Sequence, residues 1–259
     1  ERVVIMRIKN VVKVMNFQSL VRVDNAKKKA DKYRNVGKEI TDILARIFYN
    51  KNLILDKKVL VPLESLPVLN IYIANDYGFC GNFNAEINKQ LKKDVNCYKI
   101  IIGKKIIYHD DLTVLKIDKD DFFNRFKEIE NHIDNSIANM IYSKINVYYN
   151  HYYSSTSFEF VKIQLFPIEF SGSYYDGEDF VTETDINRVL SSLATFYICY
   201  QLRMCESISF AAENMLRSQI TSSALDKIEE REIEERQREL KEKKDKSIRK
   251  SVENFKKIS

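Results

Sequence analysis

The sequence predicts an α/β domain set between two long helices that pair as an antiparallel coiled coil, and three observations carry that reading. Glycine and proline are scarce, six and three in 259 residues. Turns draw on both, so few turns and long uninterrupted elements follow. Both ends of the chain place apolar residues three and four apart, which is a helical stripe. Between them the pattern switches to short β-branched runs, the signature of strands.

At the N-terminal end, residues 1–50 contain one glycine, Gly37, and no proline. Apolar residues recur at Ile8, Val12 and Met15, at Val23, Ala26, Ala30 and Tyr33, and at Ile40, Ile43 and Ile47. A helix of that length is a rod of roughly 70 Å at ~1.5 Å per residue. From Glu178 to Ser259 there is neither glycine nor proline, and Val189, Leu193, Phe196, Tyr200, Met204, Ile208, Ala211 and Met215 continue the stripe. Thr182 or Thr184 with a following acid suits an N-cap. Unbroken, this helix would run on the order of 110 Å, wider than any core a chain of this size can build. The two terminal helices must therefore pack on each other or on partners. After Ile228 the sequence is nearly all charge, with Ile233 and Leu240 as sparse apolar points. Glu and Lys/Arg at four-residue steps support an exposed helix there, either merely solvated or turning against other chains without sticking.

In the middle, residues 69–74, 99–102 and 113–117 read as strands, and 85–92 and 122–143 as helices. Strand–helix–strand order suggests parallel βαβ units. Residues 146–153 and 158–166 read as a hairpin joined by Ser154-Ser155-Thr156-Ser157, and 171–179 as a loop. The expected domains are residues 1–60, 61–177 and 178–259.

Composition excludes several classes. The net charge of +5, from 42 basic and 37 acidic residues, is mild. It comes without the basic, aromatic-laced patch of a nucleic-acid binder, so no nucleic-acid partner is expected. Four cysteines form no CxxC and read as free thiols. Three histidines with no HxxxH spacing argue against a metal site. No apolar run is long enough to span a membrane, and the first residues lack the pattern of a secretory leader. The chain opens on Glu1 rather than Met, so native residues are expected ahead of it. Abundant Lys, Asn, Ile, Tyr and Phe with no tryptophan point to an AT-rich genome.

One stretch stands apart. Residues 70–84 read NIYIANDYGFCGNFN, a strand running into two glycines with a cysteine between them. A phosphate cradle needs more glycines or a Lys-Ser/Thr pair entering the helix, and here Asn82, Phe83 and Asn84 follow Gly81. Cys80 has no evident His and acid partners for nucleophilic work. The reading left is structural. Asp76 or Asn75 bonds turn amides, Gly78 and Gly81 allow positive φ or close approach, Cys80 is a small buried side chain, and Asn84 enters a helix.

These residues resemble the gamma subunit family of F-type rotary ATPases, which carries a motif like S-D-x-G-L-C-G-x-x-N after a strand. Asp76, Gly78, Cys80, Gly81 and Asn84 are identities, and Phe79 stands for the leucine. Arg7-Ile8-Lys9-Asn10-Val11 resembles the family's R-I-x-S-V start, Val147-Tyr148-Tyr149-Asn150 its V-Y-x-x-Y-N strand, and Leu165-Phe166-Pro167-Ile168 its L-P-L strand end. Departures lie in the shaft. The first helix keeps Ala26 and Lys28 of the family's run. Ala211–Ser218 and the tail at Ser247-Ile248-Arg249 do not fix the family's register.

The resemblance implies a central Rossmann-like α/β domain and a coiled-coil shaft inside a hexamer of alternating alpha-like and beta-like nucleotide-binding subunits. It implies an epsilon-like subunit and a membrane rotor at the foot, and a place at the cytoplasmic face of the cell membrane. It implies no catalytic, cofactor-binding or metal-binding residue in this chain, with ATP and Mg held by the partner subunits. Arg7, Arg22, Lys28, Lys244 and Arg249 are the expected contacts to acidic loops of the ring. Two alternatives stand beside this: a gamma-like shaft driving another machine such as gliding motility, and a non-rotary coiled-coil scaffold.

Overall fold

The computed structural model describes residues 2–50, 60–108, 110–169 and 185–258, with side chains at 5–50 and up to 250 in the terminal helices. The elements run α1 (Arg2–Tyr49), β1 (Val68–Ile73), α2 (Ala85–Lys93), β2 (Tyr98–Ile102), β3 (Thr113–Ile117), α3 (Phe126–Ala138), β4 (Lys144–Tyr152), β5 (Phe158–Phe166) and α4 (Ile186–Ile258). The expected class, two long helices around an α/β domain, is what the chain forms. Two compact units result: Leu20–Leu216, and a second made of Glu1–Ser19 with Arg217–Ser259.

The larger unit holds a five-stranded sheet of order β3-β2-β1-β4-β5. β1 pairs in parallel with both β2 and β4, β2 in parallel with β3, and β4 antiparallel with β5. Alternation along β1 sends Leu69, Ile71 and Ile73 to one face and Tyr72 and Ala74 to the other. The first face meets Ile129, Ile133 and Ile137 of α3, Leu44 and Ile47 of α1, and Leu190, Ile198 and Leu202 of α4 in the main core. The second meets Ile87 and Leu91 of α2.

Within this unit α1 and α4 run antiparallel. Val23 and Ala26 pack with Ala211 and Met215. Tyr33 meets Tyr200 at 6.0 Å between ring centroids. A Cβ on Gly37 would come within 2.9 Å of the Gln201 Nε2, so the single glycine of α1 lies where the helices approach closely. Three members of the predicted stripes, Ile8, Ile43 and Phe196, are exposed, and Leu44 is buried beside Ile47 instead.

The helix expected at 122–143 is shorter, and its end is a Schellman motif without glycine. The Ile141 amide donates to the Ser136 carbonyl at 2.9 Å and the Met140 amide to Ile137 at 3.3 Å, with Met140 in the left-handed region at φ 50°. At the other end, Phe122–Arg125 precede the helix as a turn. The caps expected at Thr182 and Thr184 and the loop 171–179 lie outside the described residues. At the described start of α4, the Asp185 carboxylate accepts the Asn187 amide at 3.0 Å, an N-cap bond.

In the smaller unit the helices also run antiparallel. The Lys9 ammonium lies 2.8 Å from the Glu232 carboxylate and 3.2 Å from Glu229. The Asn16 amide donates to the Ser218 carbonyl at 2.8 Å and the Thr221 hydroxyl at 3.0 Å. From Ile233 to Lys250 every side chain is exposed, as the charge run predicts.

Candidate functional site: the motif turn and the helix faces

The motif turn follows β1, whose neighbours β2 and β4 leave it in opposite directions through the sheet order. Open parallel sheets take ligands outside the carboxyl ends of their strands at such a reversal. Here that place is filled by the chain itself. The Asn150 side-chain amide, at the end of β4, donates to the Phe83 carbonyl at 2.7 Å. Phe83 is buried with Cys80 and Ala212 of α4 and lies 5.7 Å from the Phe158 ring.

Each motif residue has a definite task. Asp76 ties three strand ends together: its Oδ1 accepts the Lys104 amide at 2.6 Å, just past β2, and its Oδ2 accepts the Asp120 amide at 3.0 Å, just past β3. Asn75 and Asn84 close the turn, with the Asn84 amide donating to the Asn75 Oδ1 at 2.7 Å and its Oδ1 accepting the Asn75 backbone amide at 3.3 Å. Asn84 thus occupies the N-cap position of α2 without a side-chain cap bond. Cys80 is buried, its thiol 3.2 Å from the Gly78 carbonyl and 3.8 Å from that of Glu213. Gly81 takes φ 49°, as expected, but the other left-handed residue is Phe79 at φ 59° rather than Gly78. A Cβ on Gly78 would meet nothing closer than the Lys105 Nζ at 3.9 Å. The amides of Phe83 and Ala85 donate inside the turn, to Cys80 at 3.1 Å and Asn82 at 2.9 Å, so they do not form the converging nest a phosphate wants. The turn presents Tyr77 and Phe79 outward, both well exposed. The Tyr77 hydroxyl bonds Asp120, which raises its pKa above the usual phenol value.

Beside the turn lies a buried ionic floor that sequence reasoning missed. Lys119, just after β3, places its ammonium 3.0 Å from the Glu213 carboxylate, both almost fully buried. One α4 heptad earlier Glu206 is also buried, and burial raises its carboxyl pKa. The available signal was two acids seven apart, Glu206 and Glu213, threaded among Ile208, Ala211 and Met215 of the apolar stripe.

The expected ring contacts are all solvent-facing: Arg7, Arg22, Lys28, Lys244 and Arg249 are exposed. The smaller unit shows something the stripe did not predict. The face of α1 turned away from α4 carries Met6, Val11, Val14 and Phe17, each more than half exposed and Phe17 at 68%. Meanwhile Lys9, Asn16 and the half-buried Val12 and Met15 face the partner helix side.

A family model described as ATP synthase matches residues 4–251. An ATP synthase gamma chain of Amoebophilus asiaticus is 24% identical over 239 residues, covering 85% of this chain and 82% of the relative. One from a Wolbachia of Brugia malayi is 26% identical over 251 residues, covering 85% and 84%. Among solved structures, the central stalk of the Tetrahymena thermophila mitochondrial ATP synthase aligns with a TM-score of 0.59 at 15% identity, over 83% of this chain and 99% of that one.

Proposed function

This chain belongs to the ATP synthase family as a gamma chain, a non-catalytic rotor-shaft subunit, and we propose that its smaller unit bears directly on a surrounding ring of alternating alpha-like and beta-like subunits. The observation that supports this is the outward apolar face of Met6, Val11, Val14 and Phe17. A soluble helix pair gains nothing from leaving four large apolar side chains in water, whereas a ring lining of similar character covers them. Beyond the level of Lys9, which pairs with Glu229 and Glu232, α4 continues from Glu234 to Lys246 as a stretch that is charged except at Gln237 and Leu240. A shaft with an apolar patch on one side only is asymmetric, so each orientation offers a ring subunit a different surface. Rotation then becomes a change in the relative stability of each subunit's conformations, which is allosteric coupling by rigid-body motion.

In this reading ATP and Mg belong to the ring, and this chain holds neither. Arg7, Arg22, Lys28, Lys244 and Arg249 meet acidic loops as they pass. The α/β domain joins an epsilon-like subunit and a membrane rotor at the cytoplasmic face of the cell membrane. No helix among the described residues is long and apolar enough to cross a membrane, which suits a peripheral attachment through partners. Native mass spectrometry of the complex purified through this chain tests the proposal. One copy with three each of two larger nucleotide-binding subunits is expected. A homo-oligomer, or a lone monomer under gentle conditions, would overturn it.

A further inference from the structure

A cavity of about 340 Å³ opens beside the motif turn, wholly within the larger unit. Its walls come from three directions: Asp76 and Tyr77 after β1, Lys119, Asp120 and Phe123 after β3, and facing stretches of α1 and α4. Two of its charged groups are unsatisfied in opposite senses. Glu206 is 5% exposed, and among the described residues its one hydrogen bond is a long contact of 3.5 Å from the neighbouring Ser207 hydroxyl. A carboxylate can accept about four such bonds, so this one lacks donors. Lys29 is half-buried with its ammonium 3.3 Å from the Phe123 ring centroid, and it makes no ion pair among the described residues. It lacks acceptors. The two attract each other, yet they do not meet, because the cavity lies between the helices that carry them.

Lys119 and Glu213 cannot relieve either group, since they are already paired at 3.0 Å. A metal ion does not fit: no group of three His, Cys, Asp or Glu side chains among the described residues could hold one. A lone organic cation would satisfy Glu206 but face the Lys29 and Lys119 ammonium groups. A lone anion would satisfy Lys29 but face the Glu206 and Glu213 carboxylates. A zwitterion satisfies both and adds no net charge to a partly desolvated space. The aromatic walls, Tyr77, Phe123 and Phe210, suit the short apolar link between its two ends.

We propose that this cavity binds a small zwitterion of the amino-acid class, its ammonium on Glu206 and its acid group on Lys29. Such a ligand touches α1, α4 and the strand ends at once, so binding tightens the larger unit. The inference is independent of the rotor reading, and a failure of one leaves the other standing.

The test uses the full chain and a series of ω-amino acids from glycine to 6-aminohexanoate, with putrescine and glutarate as single-sign controls. Thermal shift and calorimetry read binding. A saturable rise in Tm with an optimum at one chain length is expected, together with an affinity loss of about tenfold or more in Glu206→Gln and in Lys29→Met. Lys29 is half-buried, so its variant tests the idea even if the change at Glu206 disturbs folding. No shift from any member of the series, an equal response to putrescine or glutarate, or binding retained in Lys29→Met would overturn the proposal.

Discussion

The helix α4 serves two regions that obey different rules. In the larger unit, every residue from Leu202 to Met215 is buried except the half-buried Arg203 and Phe210, and even its acids and serines lie inside. In the smaller unit, nothing from Ile233 to Lys250 is buried, and the helix is held by polar bonds at Lys9 and Asn16. The first region is specified by packing within the chain. The second is specified by surfaces that the chain itself does not cover. A substitution should therefore register as folding free energy in the one and as assembly in the other.

A proline tests that contrast most severely. Ile208→Pro breaks the helix inside the core and should cost about 5 kcal/mol or more, from the lost helix geometry and the lost buried side chain. Denaturant unfolding measures it. The same change at exposed Glu234 should leave the main transition where it was, and an equal loss there would erase the distinction. Next in size, Lys119→Met takes a buried counter-ion from the Glu213 carboxylate and should cost about 3 kcal/mol. Changing Glu213 to Leu in the same chain should restore most of the loss. Lys9→Met in the smaller unit removes more exposed contacts and should shift Tm much less.

The pH dependence of Glu206 sharpens the comparison. Burial raises its folded pKa above the ordinary value of 4.5. The folded state then holds the proton more tightly, so the stabilising contribution is present below about pH 4.5 and is lost as pH rises through the folded pKa. Glu206→Gln should match the natural chain at low pH and exceed it in Tm at neutral pH, and a constant difference across pH would contradict the burial argument. Smallest in folding terms is Phe17→Ser, which should leave the Tm of the isolated chain within about 1 °C. Its effect should be in recovery of the ring subunits on purification. An unchanged yield would remove the bearing role from that face.

How much of this was legible in the sequence depends on what each feature is made of. Strand positions and the hairpin at Ser154–Ser157 follow from side-chain pattern, and β3 and β5 fall on their expected residues. The burial of Cys80 was expected from its place between the two glycines. Features set by the main chain were not. Met140 ends α3 in a conformation usually given to glycine, so the helix reads too long. Asp76 was named as a turn-bonding residue, but its amides belong to Lys104 and Asp120, which only the sheet order brings near. The buried ion pair was hidden because Lys119, Glu206 and Glu213 sit in a chain where charged residues are ordinary. The outward face of α1 was hidden because period alone marks an apolar residue as inward, and at Val11, Val14 and Phe17 the partner helix lies on the other side.

The bonds of Asp76 have one more consequence. They end on amides of the main chain, and the bonds from Asn150 to Phe83 and from the Ile141 amide to Ser136 end on main-chain carbonyls. A bond addressed to the backbone is indifferent to which side chain stands at its far end. The exposed positions 104 and 120 are thus free to drift while the joints they supply persist, whereas Phe83 and Ser136 are held by burial as well. A lineage under strong mutational bias can rewrite much of such a domain and keep its architecture, provided the few addressing residues stay. Divergence should therefore accumulate around Asp76 and Asn150 rather than at them.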